Sequence, residues 1–477
     1  MHQCIRVLSA AFLALNSAFM FADTITGPSS SQSPYIVGTK PGVVVKSLLT
    51  VGDSAGGYRM VGIPDGLGAF DNNDGTFTVL MNHELGSTAG VFRAHGAKGS
   101  FVSKWIIRKD DLQITSGEDL IHDIATWNPS AGGSWNTPAQ GIALNRLCSA
   151  NLPPVSSVYY AASGLGYSGH IFMSGEESGA EGRAFAHLMN GTSYELPALG
   201  KMSFENVVAH PNTGVKTVVV SLDDATPGQV YVYVGTKTNT GNPVEMAGLS
   251  GGSLYGIKVT GYATEPAGGI PSGTPFVGFN LGNVALLTGA TLETNSNTNS
   301  VTRFTRPEDG HWDPSNPNDF YFVTTASFTA KSRLWRLRFV DPANPALGGT
   351  LDMVLEGPST TVNPDGPKMM DNITVSSRGQ ILMQEDPGGQ DHIAKIWRYS
   401  IAKDSAEIIA QHDPNRFAPG ASGFLTRDEE SSGIIEVSDI LGQGWFLLDV
   451  QAHYNPGDTE LVEGGQLLLL HFPAGWK

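Results

Sequence analysis

Short apolar runs, rich in β-branched and aromatic residues, recur along this chain between turns rich in glycine and asparagine. Runs such as 77–81, 171–173 and 218–222 have the length and composition of β-strands. Several of them end directly in acidic residues. Because the pattern repeats, we expect these strand ends to converge, as they do around the central channel of an all-β propeller.

A weak repeat supports the same architecture. Seven segments share a small residue, a polar residue and then apolar or aromatic residues, and they begin at residues 103, 182, 228, 252, 332, 394 and 465. Repeated all-β units favour a β-propeller over a solenoid, and we expect about six blades with loop insertions. The copies at 228 and 252 are close enough to be partner strands of one blade. Two β-sandwich domains are the competing architecture, in which the strand-end acids would be scattered.

Residues 302–314 concentrate charged and aromatic side chains between turn-rich flanks. We expect a charged loop that leads into a strand at 319–325, because functional residues collect on such loops. Arg306 and Glu308 supply an anion-binding and a cation-binding group from one turn, which suits a phosphate held against metal ions. A solvated surface turn is the alternative.

Turn-forming residues elsewhere predict the connections. Residues 64–75 read as a run of turns that ends in a hairpin turn, and the segments 235–251 and 263–298 read as loop insertions. Asn82 and Glu84 point the same way if the strand at 77–81 continues. Their amide and carboxylate oxygens would suit calcium.

Composition and charge narrow the function classes. The 477 residues include 58 glycines and only 16% charged residues, which is typical of many strands and tight turns. The formal net charge of −16 argues against a nucleic-acid partner. Acidic groups clustered in loops can bind calcium instead.

The first residues predict export. Arg6 precedes an apolar run that ends near Ala22, so residues 1–22 read as a secretory signal peptide. We expect residues 23–477 to form a single β-propeller domain that is secreted or periplasmic. No later apolar run approaches the length of a membrane span.

The number of cysteines is informative because the mature, exported chain would contain only one. Cys4 lies in the predicted signal peptide, so Cys148 would be the lone thiol of the mature chain. An inert thiol in the core is one reading. A thiolate that binds a transition metal is the other, because soft sulfur selects such metals.

Short sequence islands, in a fixed order, connect this chain to a known family. They are Asn-His-Glu at 82–84, Cys148 followed by Gly-Glu-Glu at 175–177, Ser-Phe-Glu at 203–205, Asp-Asp at 223–224, Arg-Pro-Glu at 306–308, Asp-Asn at 371–372, Glu-Asp at 385–386 and Glu-Ser-Ser-Gly at 430–433. This ordered set resembles the PhoX-type alkaline phosphatases. The resemblance implies a secreted, six-bladed propeller phosphatase with two ferric ions and calcium ions in its site.

The resemblance also implies roles for individual residues. Cys148 would be an iron ligand with Glu205 and Glu308 beside it, and Arg306 would hold a phosphate oxygen. The metal set would be completed by Asn82, Glu84 and Asp224, the last preferred over Asp223. Asp371, Glu385 and Asn372 are similar to calcium or substrate positions: the first two would be metal ligands and Asn372 a substrate contact. Two features depart from the family: Arg6 stands alone instead of in a twin-arginine signal, and no glycine-rich run with tryptophan follows Cys148.

The favoured function is therefore extracytoplasmic, metal-dependent hydrolysis of small phosphate esters, with Fe³⁺ and Ca²⁺ as cofactors and a monomer as the working form. Adjacent cations would bind the phosphoryl oxygens while Arg306 offsets developing charge. A calcium-dependent propeller lactonase or esterase is one alternative, and it needs no thiolate. A non-enzymatic, calcium-stabilised adhesion propeller is another.

Overall fold

The computed structural model describes residues 23–358 and 366–473. The predicted signal peptide, residues 1–22, lies outside the described residues. The fold is almost entirely β, as predicted. The α-helices are Pro243–Met246, Gly289–Thr298, Pro414–Phe417 and Ser438–Leu441. Turns of 3-10 helix are Pro129–Ala131, Val155–Ser157, Gly179–Glu181, Pro197–Leu199 and Pro345–Leu347. None of the described helices is long and apolar enough to cross a membrane.

Meander 1 is a four-stranded antiparallel sheet. Its strands are Pro64–Asp71, Thr76–His83, Phe101–Arg108 and Ile114–Asp119. The turn after the first strand begins where Asp71 Oδ1 accepts from Asn73 N at 2.8 Å, and Asn73 and Gly75 adopt positive φ angles. The hairpin turn is therefore confirmed. Residues 64–71 are a strand and not a run of turns, because their apolar members are buried on both faces of the sheet.

Meander 2 has four antiparallel strands and a fifth, parallel strand at its edge. The strands are Leu147–Asn151, Ile171–Glu176, Ala184–Leu188, Thr192–Glu195 and, at the edge, Asp123–Ala125. Three short two-stranded antiparallel ribbons lie outside the meanders in the described residues: Ser54–Ala55 with Tyr58–Arg59, Trp127–Asn128 with Ser134–Trp135, and Tyr159–Tyr160 with Leu165–Gly166.

Meanders 3 and 4 share one ten-stranded sheet. Meander 3 contains Phe204–Ala209, Lys216–Asp223, Gly228–Thr236 and Ser253–Val259, with Arg303–Phe304 paired to its third strand. Meander 4 contains Pro307–Trp312, Asp319–Thr324, Arg333–Phe339 and Gly349–Glu356. The strand Thr274–Gly282 joins the fourth strands of both meanders.

Two sequence-based expectations fail in this sheet. The segment 263–298 is not a simple loop insertion, because it contains the strand Thr274–Gly282 and the helix Gly289–Thr298. The charged stretch 302–314 is not a loop either, since Pro307–Trp312 is a largely buried strand. Charged residues can occupy a buried strand there because they face other polar groups along the channel.

Meanders 5 and 6 are completed by the N-terminal part of the chain. Meander 5 contains Met370–Val375, Gln380–Glu385, Lys395–Ser400 and Ser405–His412, with Ile36–Gly38 at its edge. Meander 6 contains Glu429–Glu430 and Ile434–Glu436, then Trp445–Ala452, Gly464–His471, Val44–Thr50 and Asp23–Thr26. Strand Val44–Thr50 pairs antiparallel with Gly464–His471, so the two ends of the chain close the ring.

The first strand of each meander faces a central channel. Among the described residues, these inner strands contact one another in a closed ring: 64–71, 147–151, 204–209, 307–312, 370–375 and 434–436. This is a β-propeller, as predicted. Six of the seven sequence repeats fall on the third strand of a meander, and the copy at 252 is the partner strand next to the copy at 228. The count of six blades stays a prediction, because one hydrogen-bonded sheet spans two meanders.

The apolar core lies between neighbouring meanders. Between meanders 3 and 4, for example, Trp312 and Trp335 pack with Phe322 against Val220 and Val232. All five side chains are buried, so the two tryptophans belong to the core and position the inner strands.

Candidate metal and phosphate site

Each meander contributes to the channel one side chain of a type that can bind a metal ion. In meanders 1 to 5 it is the second residue of the inner strand, and in meander 6 it is the second residue of the short strand Glu429–Glu430 that precedes the inner strand. The residues are Asp65, Cys148, Glu205, Glu308, Asp371 and Glu430. In the first five, the pairing register shifts directly after this residue. A bulge at a fixed position re-aims side chains locally, so the same irregularity directs each of these groups.

Two clusters result. The first contains Asp65, Glu84 and Cys148, and the second contains Glu205, Glu308 and Asp371; within each cluster the candidate ligand atoms lie within 4.8 Å of one another. The clusters adjoin, because Cys148 Sγ lies 3.1 Å from Glu205 Oε2.

Gln451 and Asn82 support the first cluster. The Gln451 amide donates at 3.0 Å to Asp65 Oδ2 and at 3.0 Å to Glu84 Oε2. Asn82 Nδ2 donates to the backbone carbonyl of Cys148 at 2.5 Å. Its Oδ1 is buried without a hydrogen-bond partner among the described residues. An acceptor left unsatisfied in this way is costly unless another donor or a cation uses it.

Burial and mutual repulsion disfavour charge in both clusters. Burial, then the neighbouring Glu84 and Glu205, raises the pKa of Asp65 well above its usual range. Burial, then Asp224 and Asp371, does the same to the pKa of Glu308. The pKa of the Cys148 thiol is raised by burial and by Asp65. These groups therefore lack enough positive charge nearby to be ionised together, and cations would supply it.

The donor set fits metal ions. The second cluster offers oxygen atoms alone, which suits hard cations such as calcium. The first adds a thiol to two carboxylates, and sulfur favours a transition metal. Among the described residues, Glu205 Oε1 is also buried without a hydrogen-bond partner.

Arg306 forms a fork beside the second cluster. Its Nε and Nη2 donate to Asp224 Oδ1 and Oδ2 at 2.8 and 2.9 Å, and Nη2 lies 2.8 Å from Glu308 Oε1. Its φ of +57° is in the left-handed region, which costs a residue with a side chain about 1 kcal/mol or more. The surrounding contacts therefore hold Arg306 in place, with 27% of its side chain exposed.

Arg146 is the counterpart of Arg306 beside the first cluster. It stands two residues before Cys148, as Arg306 stands two residues before Glu308, and its φ is +50°. Its Nη2 lies 2.6 Å from Glu84 Oε1 and also bonds the Glu177 carboxylate. The Arg146 side chain is 47% exposed. Two guanidinium groups thus flank the clusters, and both remain accessible.

The structure brings together most of the residues predicted from the sequence. Glu84, Cys148, Glu205, Glu308 and Asp371 are cluster members. Arg306 and Asn82 lie beside the clusters, as described above, and the remaining three are placed as follows.

Asp224 lies beside the second cluster and binds Arg306 with both carboxylate oxygens. Asn372 lies one layer deeper in the channel, where its amide donates to Ser149 Oγ at 2.5 Å. Glu385 belongs to neither cluster. Its oxygens accept from four protein donors, Lys368 N, His392 Nε2, Lys395 N and Trp397 Nε1, at 2.8 to 3.0 Å. Its hydrogen bonds are those of a structural carboxylate within meander 5.

Sequence reasoning missed Asp65, Arg146, Glu177, Asp386 and Glu430 as site residues. Asp386 is close enough to Glu430 and Arg306 for their charges to act on it: burial and Glu430 raise its pKa to about 7, while Arg306 and His453 act in the opposite direction. A signal for Asp65 did exist. The start of the inner strand in meanders 1 to 5 reads as an apolar residue or proline, then a ligand type of residue, then a small or polar residue, as in Pro-Asp-Gly at 64–66 and Phe-Glu-Asn at 204–206.

A layer of polar residues lies directly beneath the clusters. Asp309 accepts from Asn206 Nδ2 at 2.6 Å and from Ile373 N at 3.0 Å, and Asn372 extends the layer to Ser149. Asp309 and Asn206 also line a cavity of about 720 Å³ on the other side of the layer. The channel is therefore divided, and the cavity does not include the cluster residues.

Comparison with known proteins decides the family. The family model described as "Alkaline phosphatase PhoX" matches residues 186–429, just over half of the 477-residue chain. The chain belongs to the PhoX family. Membership confirms the predicted family and the predicted class of enzyme, a phosphatase. The match includes Glu205, Arg306, Glu308 and Asp371 but begins after Cys148.

A solved PhoX structure agrees with the observed fold. The chain is similar to Pseudomonas fluorescens PhoX in complex with vanadate, a transition state analogue, with a TM-score of 0.64, 12% identity and coverage of 95% of this chain and 98% of that one. The PQQ-bound aldose sugar dehydrogenase of Streptomyces coelicolor also matches, at a TM-score of 0.38, 12% identity and coverage of 90% and 98%. No sequence among curated proteins matches the chain.

Proposed function

We propose that this PhoX family member hydrolyses phosphate monoesters at the two clusters and the two arginines that flank them. The observation that carries this proposal is the repeated placement of a ligand-type residue at the second position of the inner strands, next to Arg306 and Arg146. Acidic groups that repel one another, beside cationic groups that remain accessible, suit a site for metal ions and an oxyanion.

We propose Fe³⁺ and Ca²⁺ as the metal ions. The set suited to iron includes the thiol and consists of Cys148, Asp65, Glu84 and Glu205. The set suited to calcium offers oxygen atoms alone and includes Glu308 and Asp371. When bound, such ions supply Lewis-acid stabilisation of the phosphoryl charge and of the leaving oxygen.

The arginines orient the phosphoryl group in this proposal. Asp224 holds Arg306 through two N–H groups, which leaves the guanidinium plane fixed and other N–H groups free to donate to phosphoryl oxygens. Glu177 holds Arg146 in a similar way on the other side. Preorganised donors of this kind stabilise negative charge that grows in the transition state.

Other residues fix the ligands. Gln451 donates to both carboxylates of the first cluster and sets the spacing between Asp65 and Glu84. Asn82 binds the backbone of Cys148 and offers its unpaired oxygen toward the same region. In this proposal Asn82 therefore positions Cys148 and can add a neutral oxygen to the metal set.

We also propose that the protein acts outside the cytoplasm. Residues 1–22 would serve as its signal peptide, and residues 23–477 would form one propeller that works as a monomer. The sequence features of residues 1–22 support the first statement. The closed ring of inner strands supports a single propeller in the described part of the chain.

Elemental analysis of purified protein, together with hydrolysis of p-nitrophenyl phosphate and inhibition by vanadate, tests the proposal. We expect bound iron and calcium, and loss of both activity and metal in Glu308→Gln. Glu195→Gln is a matched control, since Glu195 is a buried carboxylate of meander 2 that accepts from Trp127 N at 2.9 Å. A protein without iron and without phosphatase activity would contradict the proposal, and calcium-dependent activity on lactones or carboxylic esters would then favour a calcium-dependent hydrolase.

A further inference from the structure

A second cavity, of about 260 Å³, adjoins the proposed phosphate site. Asp224, which holds Arg306, is also part of its wall. Met202 and Leu292 form an apolar side, and Asp223 and Glu293 form an acidic side. The volume corresponds to about nine water-sized groups, at ~30 Å³ for each water. A group attached to a phosphate near Arg306 could therefore extend into this cavity.

The acidic side of the cavity is held in a defined shape. Glu293 accepts from Gln229 Nε2 at 2.7 Å and from Asn297 Nδ2 at 2.7 Å. Asp223 accepts from Ser203 N at 3.1 Å. These carboxylates are oriented by protein donors, and each oxygen retains acceptor capacity for a ligand.

The helix Gly289–Thr298, which carries Glu293, is fixed closely against the neighbouring 3-10 turn. Gly289 N donates to Glu181 Oε1 at 2.9 Å, and a Cβ atom at Gly289 would lie only 1.5 Å from the Ala180 carbonyl oxygen. Only glycine allows this approach, so the helix and the cavity wall keep a fixed position.

Charge selects what the cavity can accept. Glu293 adds negative charge that Arg306 does not neutralise, because Arg306 is paired with Asp224 and Glu308. Burial raises the pKa of Asp223 to about 7, so Asp223 contributes less of this charge. Lys201, the basic residue of the lining, lies 3.4 Å from Glu181. A second anionic group would be repelled here, whereas hydroxyl or ammonium groups would find acceptors.

We propose that this cavity binds the alcohol part of the phosphate ester and selects small alcohols with hydroxyl or ammonium groups over those with a second anionic group. The inference rests on the proposed phosphatase function and adds its substrate class. It assigns to Glu293, which is in neither metal cluster, a role in specificity.

Glycerol 3-phosphate and 3-phosphoglycerate test this inference because they have similar size and differ by a carboxylate. We expect kcat/KM to favour glycerol 3-phosphate by about tenfold or more, and Glu293→Gln to reduce this ratio about fivefold, the scale of one partly screened charge pair. Glu118→Gln is the control, since Glu118 is an exposed acid that pairs with Lys104 in meander 1. Its ratio should equal that of the wild type.

A second variant tests the cavity itself. Leu292→Trp should fill it and lower kcat/KM for glycerol 3-phosphate, while the inhibition constant of inorganic phosphate stays within about twofold of the wild-type value. Circular dichroism and the melting temperature show whether Leu292→Trp has folded. If it has not, the test relies on Glu293→Gln. Equal kcat/KM for the two esters, or a ratio unchanged in Glu293→Gln, would overturn the inference while the phosphatase function stands. A protein without phosphatase activity or phosphate inhibition would overturn both.

Discussion

Replacing Arg306 with lysine keeps the positive charge but removes the fork. Arg306 makes two N–H contacts to Asp224 and one to Glu308, all at 2.8 to 2.9 Å, and a single ammonium group cannot reproduce this geometry. Hydrogen bonds to charged groups contribute about 1.5–3 kcal/mol each, so loss of one such contact to the transition state costs about 2 kcal/mol. We expect kcat/KM for a phosphate monoester to fall about 30-fold in Arg306→Lys.

Arg338→Lys is the matched control for this prediction. Arg338 binds Asp319 with the same bidentate geometry on an outer strand of meander 4: Nε donates to Oδ1 at 2.8 Å and Nη2 donates to Oδ2 at 2.6 Å. Steady-state kinetics and thermal unfolding of both variants separate catalysis from stability. Arg338→Lys should change the melting temperature but not the kinetics. Arg306→Lys with kcat/KM within about threefold of the wild type, or an equal kinetic loss in Arg338→Lys, would refute the reasoning.

Three further results are expected. Cys148→Ser should lose iron, any visible thiolate-to-iron absorption and phosphatase activity together. Its circular dichroism should not change. Retention of iron and activity would instead identify Cys148 as a thiol of the core. Exhaustive chelation should remove activity and lower the melting temperature, because the free energy of unfolding falls by about 4 kcal/mol if ions are present at 1,000 times their Kd. Adding calcium and iron should restore both activity and melting temperature. An unchanged melting temperature would exclude bound ions. Burial, with a smaller effect of His95, lowers the pKa of His187 to about 3, so the unfolded state binds the extra proton below the ordinary value near 6.5. Stability should therefore fall as the pH falls from 6.5 toward 3, by about 2 kcal/mol at pH 5, and urea unfolding of His187→Gln should show a correspondingly smaller loss between pH 7.5 and 5.

Much of the fold was predictable from the sequence because strand periodicity and repeat position are local properties. The third strands of the meanders carry the repeat in their own residues, and the acids at the ends of second strands, such as Glu84 and Asp224, follow obvious apolar runs. First and second strands are antiparallel, so the start of one lies beside the end of the other. Convergence of the acids follows from that pairing.

The inner strands were harder to recognise. Pro-Asp-Gly-Leu-Gly at 64–68 has the composition of a turn, yet neighbours on both sides bury it as a strand. A Cβ atom at Gly66 would lie 2.3 Å from Ala150 N, so glycine is required for this contact and not for a turn. Such a requirement comes from tertiary packing, which a local pattern does not contain.

The sequence does not decide between Glu385 and Asp386 for a related reason. Adjacent residues at a strand end point to opposite sides, and the sequence does not say which side faces the channel. Glu385 turns to Trp397 and His392, while Asp386 lies near Glu430 and Arg306. Arg146 was missed because an arginine before a strand is common, and its role depends on a left-handed backbone that only the structure shows.

The closure of the ring by the N-terminal strands has a consequence for the order of events in biosynthesis. Val44–Thr50 leaves the ribosome well before its partner Gly464–His471, which is synthesised after all of the strands between them. Five of the six inner strands contribute a residue to the two clusters, so a partly synthesised chain exposes these acids and the thiol without enclosing them. If ions occupy the proposed site, we expect them to be bound only after the strand Gly464–His471 has docked, so that the compartment in which it docks determines which metals are available.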